Sequence, residues 1–452
     1  MVKEIAVELK SAKLFLSRHY PLLGILLGSF LVAISMGTYT NWDSALEYEV
    51  AKNILTSGFP YLEDGYMINQ PPLGFYLSAS IFRLFHLSYL TGVYFSTVFG
   101  LGTVVLVYIL GTLMYGSKTG VVASGLFGLI PWHVYMSRIL LIDNQCLFWS
   151  LLFLVFGILA VKRNSQKIVA LAGLFFALAL LTKLFAVFFL IPMMIIILLY
   201  RKRRNFKLSP KNLLIFLLPT LISQVFWYGG LAHQNFEAVY FSSDLYHPVL
   251  VDASLGYLST TYVNSAGYAL FLATFVSLFL SLVYWKPLAK YLRMDVACIA
   301  MIAGVSGINL LLVLVFHLTV PYVSVFKYAY SALPFFCLLA GSVTDKATSI
   351  IGSLNWKKKL DWVKAALVVS GFFLIFVSFI ESINFLNIWV IYASFGIDSV
   401  TYYPFNLYTD TAYPGLVTLM HYAGLVLVVI SMLVPAVLSQ SMTFFRKQIY
   451  SV

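Results

Sequence analysis

Runs of about twenty apolar residues recur from one end of this 452-residue chain to the other. Each is long enough to cross ~30 Å of hydrocarbon as a helix. The runs are continuous rather than alternating, which excludes a membrane barrel. With 61% hydrophobic and 10% charged residues, the chain carries more apolar surface than a soluble fold of this size can hide. The expected class is an all-α, polytopic integral membrane protein of about twelve transmembrane helices. They are placed near 21–39, 90–115, 119–137, 144–161, 168–182, 184–200, 212–231, 266–285, 295–318, 326–344, 365–383 and 415–437. The first run follows Lys10, Lys13 and Arg18 and lacks a small-x-small cleavage site, so it reads as an uncleaved signal anchor. Cys146, Cys298 and Cys337 all fall inside apolar runs, as buried thiols with no disulfide role.

A net charge of +12 invites a nucleic-acid reading, but its distribution argues otherwise. With the N-terminus placed inside, every lysine and arginine falls in cytoplasmic segments except Lys52, Arg83, Arg138, Lys183 and Lys327. The acids divide the other way, with only Glu4, Glu8, Asp295, Asp345 and Asp361 inside. This is a positive-inside pattern, with both termini cytoplasmic in the plasma membrane of a prokaryote or its equivalent, and no nucleic-acid partner. It depends on residues 73–86, an apolar stretch too short to span. Counting it as a span would invert every later loop, so it is read as a helix at the interface. The first outer loop then covers 41–89 with interfacial helices near 43–57 and 72–86; a second covers 232–267, and a tyrosine-rich outer segment covers 384–413.

Charge inside hydrocarbon is costly and usually functional. The expected spans carry almost none in their interiors. Arg138, Asp143, Lys183, Lys327 and Glu381 instead fall at the outer ends of five helices. Each alone can snorkel to the interface. Together they mark one plane, and the cations Arg138, Lys183 and Lys327 suit an anionic lipid phosphate.

The most informative stretch is 41–58, NWDSALEYEVAKNILTSG, an amphipathic helix ending at Gly58 with Ser44-x-x-Glu47 as a capping box. At 100° per residue, Asp43 and Glu47 project within about 40° of each other, on the side shared by Leu46, Val50 and Ile54. Two acids on a packed face suit chemistry; helix capping with dipole complementarity is the structural alternative.

With these residues in place the chain resembles the membrane-embedded glycosyltransferases of the GT-C type. The nearest branch holds bacterial aminoarabinose transferases and dolichyl-phosphate-mannose-protein mannosyltransferases. The resemblance rests on Trp42-Asp43-Ser44, Gly58, Gln70-Pro71-Pro72-Leu73-Gly74-Phe75-Tyr76, Pro131, Ser137-Arg138, Asp143, Leu181-Thr182-Lys183, Lys327-Tyr328 and Leu333-Pro334, in the family's order. It covers roughly residues 20–345. Residues 1–345 are therefore read as a GT-C catalytic module, and 346–452 as further helices. Two departures stand out: Ser44 replaces the second acid of the family's pair, and Gln70 replaces the lysine that approaches the donor phosphate.

The resemblance implies transfer of a sugar, with inversion, from a polyprenyl (dolichyl-type) phosphate to a protein, lipid or glycan acceptor on the outer side. Asp43 would then be general base toward the acceptor hydroxyl or would help hold a divalent ion, and Asp143 would be a second acid beside the site. Arg138, Lys183, Lys327 and Gln70 would face the donor phosphate. Glu47, Asp244 and His247 fall near the family's metal or phosphate ligands, although a surface acid and histidine explain the last two as well. His133 and His317 read as satisfied helix-end residues. Rival classes are a secondary transporter, which should show mid-membrane ionisable residues and a hydropathy repeat, a polymerase or ligase using diphosphate-linked glycans, and a purely structural membrane protein.

Overall fold

The computed structural model describes residues 20–35, 42–62, 65, 67–68, 70–204, 206, 209–231, 267–284, 288–307, 329–351, 358–385, 416 and 418–433. These form α1 (Tyr20–Ser35), α2 (Trp42–Ser57), α3 (Leu73–Leu84), α4 (Tyr89–Met114), α5 (Ser117–Leu129), α6 (Pro131–Ser137), α7 (Ile142–Arg163) and α8 (Gln166–Thr182). A 3₁₀ turn (Leu184–Phe189) leads into α9 (Leu190–Arg204), and a π turn (Val225–Leu231) extends α10 (Pro210–Gln224). Then follow α11 (Tyr268–Val283), α12 (Ala289–Val305), α13 (Leu333–Gly341), α14 (Val343–Ile351), α15 (Lys359–Phe385) and α16 (Thr418–Leu433). No sheet forms among the described residues; one antiparallel bridge joins Tyr61 and Met67.

The protein is an all-α integral membrane protein. Among the described residues, Tyr89–Met114, Ile142–Arg163, Pro210–Gly229 and Asp361–Ser378 are long and apolar enough to cross a bilayer, with shorter apolar helices beside them. The apolar segment of α10 is only 17% buried. Leu214, Leu221, Ile222, Val225 and Phe226 stand exposed along it, as they do on a helix facing lipid.

In a bilayer, helices associate by close packing of small residues rather than by hydrophobic expulsion. A Cβ added at Gly111 of α4 would lie 2.7 Å from the Gly120 Cα of α5, and one at Gly424 of α16 would lie 2.6 Å from the Gly28 carbonyl oxygen of α1. These two contacts fix the α4–α5 hairpin and dock the last described helix against the first. The three cysteines are free and buried, as expected.

Two expectations change. The span placed at 119–137 is two helices, α5 and α6, separated at Ile130 (φ −59°, ψ 126°). Pro131 forces the break, because the residue before a proline is driven out of the α region. The second change concerns Asp295 and Lys346, read above as cytoplasmic loop charges. α12 starts at Ala289, so Asp295 lies well inside it, and its side chain and that of Lys346 are both 0% exposed. Lys346 Nζ donates to Asp295 Oδ2 at 2.7 Å and to the Ser277 carbonyl and hydroxyl at 2.9 and 2.6 Å. Ser281 donates to Asp295 Oδ2 at 2.5 Å, and Tyr115 to Oδ1 at 3.0 Å. The neighbouring Asp345 accepts from the Thr119 amide and hydroxyl at 2.9 and 2.7 Å. Consecutive residues of α14 thus staple α5 on one side and α11–α12 on the other. The burial is sustainable because the ion pair is hydrogen-bonded from several helices.

The 73–86 segment forms a helix of 12 residues, α3, about 18 Å long and too short to span. Expectations at 232–266, at most of 384–413, and at Asp244, His247, His317 and Lys327 lie outside the described residues, as does the Glu381 side chain.

Candidate active site

α2 and α3 form a small layer on one end of the bundle. Val50, Ala51 and Ile54 of α2 pack with Phe75, Ala79 and Phe82 of α3 over Tyr89, Val93, Leu140 and Ile142. Gly58 ends α2 at φ +80°, where a side chain would be strained. The connection to α3 is tied back by Asn53 Nδ2 donating to the Tyr61 carbonyl and the Tyr76 hydroxyl donating to the Gly58 carbonyl. Met67 from the same connection packs on Trp227 of the π turn.

The chain enters α7 through extended Leu141, leaving the first amides of that helix without intrahelical partners. Glu47 Oε2 accepts from the Ile142 amide at 2.8 Å. A carboxylate is favoured there by the helix dipole as well as by the hydrogen bond. This alters the capping-box reading: α2 begins at Trp42, so Ser44 lies inside its first turn. Ser44 accepts from the Tyr89 hydroxyl at 2.9 Å, and Glu47 caps a different helix, 95 residues on. Asp43, half-buried, sits one turn before Glu47, about 6 Å away along the same face.

Next to Ile142, Asp143 Oδ1 accepts from Lys183 Nζ at 2.7 Å, the two side chains being 7% and 18% exposed. Lys183 is extended (φ −159°, ψ 131°) and ends α8, so its ammonium also stands at the favourable end of that helix dipole. Glu47, Asp143 and Lys183 are therefore assembled around one helix entry. Arg138, 2% exposed, faces a different neighbour: its guanidinium donates to Thr97 Oγ1 at 3.2 Å and lies 5.3 Å from the Tyr94 ring centroid on α4. It is buried rather than snorkelling. Gln70 is partly exposed, and its Oε1 is buried without a hydrogen-bond partner.

Sequence reasoning missed a polar web behind this site. Asn144 donates to the Ser96 carbonyl at 2.8 Å and accepts from the Tyr330 hydroxyl at 3.0 Å, while that hydroxyl meets His133 Nδ1 at 2.8 Å. His133 is thus a satisfied helix residue, as read. Gln145 is fully buried against Gly74, with both amide atoms unpartnered. The triplet Asp143-Asn144-Gln145 opening an otherwise apolar helix was the available signal.

For a divalent ion the described donors fall short. Among the described residues there is no group of three or more His, Cys, Asp or Glu side chains able to hold one. Asp43 and Glu47 offer two carboxylates, and one is committed to the Ile142 amide.

What the arrangement offers chemically is a half-exposed carboxylate, a lysine–carboxylate pair at two helix ends and a buried arginine, under an apolar layer. Residues 69–228 match the family model of dolichyl-phosphate-mannose-protein mannosyltransferases, a segment that holds Gln70, Arg138, Asp143 and Lys183 but not Asp43 or Glu47. No curated protein sequence matches the chain. Among solved structures, ArnT from Cupriavidus metallidurans in the apo state superposes with a TM-score of 0.56 at 13% identity, covering 91% of this chain and 76% of that one. The same protein bound to undecaprenyl phosphate gives 0.53 at 13% identity, with 91% and 77% covered. Archaeal oligosaccharyltransferase AglB from Archaeoglobus fulgidus, in complex with an inhibitory peptide and a dolichol-phosphate, gives 0.50 at 12% identity, covering 82% of this chain and 56% of that chain. The chain has the fold of the GT-C membrane glycosyltransferases, and it resembles their aminoarabinose-transferase and protein-mannosyltransferase branch.

Proposed function

We propose that the protein transfers a sugar from a polyprenyl (dolichyl-type) phosphate to a hydroxyl-bearing acceptor at the outer membrane face. The observation that carries the proposal is the Asp143–Lys183 pair beside the Glu47-capped entry of α7. It supplies a cation held at a helix end for a phosphate, with acids from α2 alongside. That one relative was solved with undecaprenyl phosphate and another with a dolichol-phosphate and a peptide supports a lipid-phosphate donor.

In this reading Asp43 accepts the proton of the acceptor hydroxyl as its oxygen attacks the anomeric carbon. The bond from that carbon to the phosphate oxygen breaks, polyprenyl phosphate leaves with the electron pair, and the configuration inverts. Lys183 stabilises the departing phosphate; Arg138, Lys327 and Gln70 are the further residues that the family resemblance assigns to it. Asp143 holds the Lys183 ammonium in place through the 2.7 Å contact between them. Acceptor proteins, lipids and glycans all provide the hydroxyl this chemistry needs.

One observation bears on the transporter reading, the ion pair Asp295–Lys346 inside the bundle. Its partners come from fixed helices and it is fully enclosed, which suits a staple rather than a translocated-ion site. The test is to incubate the purified protein with a panel of polyprenyl-phosphate sugars and follow release of the free lipid phosphate. Release with one sugar, dependent on acceptor, is expected. Release with none, under conditions where the donor binds, would overturn the proposal.

A further inference from the structure

α7, α8, α9 and α10 enclose a cavity of about 260 Å³ with an apolar wall, lined by residues including Phe153, Ala160, Ala172, Met194, Leu213 and Phe216. It runs along the last turns of α7 and the first turns of α8 and α10, the end of these helices away from Asp143 and Lys183. Two of its lining residues, Met194 and Leu213, are also 51% and 45% exposed. The cavity therefore reaches the outer surface of the molecule between α9 and α10, beside the lipid-facing side of α10. An apolar cavity of ~150 Å³ stays dry and takes a benzene-sized hydrocarbon, and this one is larger.

Its rim is strongly basic. Arg163 ends α7, Lys167 lies in the first turn of α8 and Lys211 in the first turn of α10; all three are exposed. They stand two or three residues from the lining residues Ala160, Val161, Val169 and Leu213. Lys162, Arg201, Lys202, Arg203, Arg204 and Lys207 belong to the same stretch of chain, and no acidic residue occurs between Asp143 and Glu237. An apolar slot below an all-basic rim matches one kind of occupant: an acyl chain with an anionic head.

We propose that this cavity binds an acyl chain of an anionic phospholipid from the leaflet at the basic end of the bundle, its headgroup held by Arg163, Lys167 and Lys211. The site is separate from the transfer chemistry and does not depend on it. Attraction of a polybasic surface to anionic lipid is worth ≈ 1 kcal/mol per charge, or about fivefold in affinity.

The test uses the full chain in phosphatidylcholine vesicles carrying a small fraction of phosphatidylglycerol with a photoreactive acyl chain, and a matching photoreactive phosphatidylcholine. Labelling of peptides spanning 153–172 and 190–217, several-fold stronger from phosphatidylglycerol, is expected. Ala172→Leu, which puts a larger side chain into the cavity, should lower that label. Neutralising the exposed Arg163, Lys167 and Lys211 to glutamine, which does not threaten folding, should bring it down to the phosphatidylcholine level. Equal labelling by the two lipids in the unaltered protein would overturn the proposal, as would labelling confined to other peptides. Displacement of the label by polyprenyl phosphate would also overturn it, assigning the cavity to the tail of that lipid.

Discussion

Removing the ammonium at Lys346 should destabilise the bundle far more than removing the whole ion pair. In Lys346→Met, Asp295 keeps its hydrogen bonds from Ser281 and Tyr115 but loses the ammonium that neutralises it, inside a site that is 0% exposed. The Ser277 carbonyl and hydroxyl lose a donor as well. Stranding one charge of a buried pair costs about 3–5 kcal/mol, whereas exchanging both partners for apolar residues of similar volume is often close to neutral. The Lys346→Met/Asp295→Leu double variant should therefore be more stable than Lys346→Met by roughly 2–4 kcal/mol, recovering most of the loss. A denaturant titration of the purified protein in detergent, with the four proteins of the cycle compared, reads this directly. Additive losses would show that the pair is not the staple described, and that α14 is held to α11 and α12 without it.

Three other outcomes are expected. Lys183→Met should weaken binding of polyprenyl phosphate by about 10- to 100-fold, because a hydrogen bond to a charged group is worth ≈ 1.5–3 kcal/mol; an unchanged dissociation constant in a direct binding assay would assign Lys183 to structure. Glu47→Ala should lower stability by about 1–3 kcal/mol through the uncapped Ile142 amide, with Glu47→Gln, which keeps an acceptor oxygen, losing less; equal losses from both in a thermal unfolding assay would mean that charge alone matters there. Cysteines placed at Ser57 and His86, both exposed, should react with an impermeant thiol reagent from the same outer side, against a silent background from the three buried native cysteines; labelling of only one would mean that α3 crosses the membrane.

The spans were legible because the apolar runs that define them are local: α4, α7 and α8 fall within a few residues of their expected bounds. The break at Ile130 was written in Pro131, and the continuous hydrophobicity on both sides concealed it. Asp295 and Lys346 were misplaced for a different reason. Each looks like an ordinary loop-end charge until its partner, 51 residues away, is brought beside it by packing. The same holds at the site. Asp43 and Glu47 could be put on one face from helical periodicity, but Glu47's partner is the Ile142 amide of another helix, which no local rule reaches. The lysine–aspartate pair was half visible: both residues were singled out, yet as separate cation and acid rather than as one bonded unit. Asn144 and Gln145 were passed over although they open an otherwise apolar helix, and Tyr330 escaped because its partners, His133 and Asn144, are distant in sequence.

In the proposed mechanism Asp43 acts on the acceptor while the cations hold the donor, and one comparison separates these roles. Asp43→Asn preserves shape and hydrogen-bonding capacity at the first turn of α2 but removes the charge. With an active polyprenyl-phosphate sugar as donor, single-turnover release of lipid phosphate should fall by ~10²–10⁴-fold in the variant, the usual contribution of a general base. Donor affinity should stay within about twofold of the unaltered protein, since Asp43 is not assigned to the phosphate. Full-rate release by Asp43→Asn would contradict the account and move the search for the base to Glu47 or Asp143.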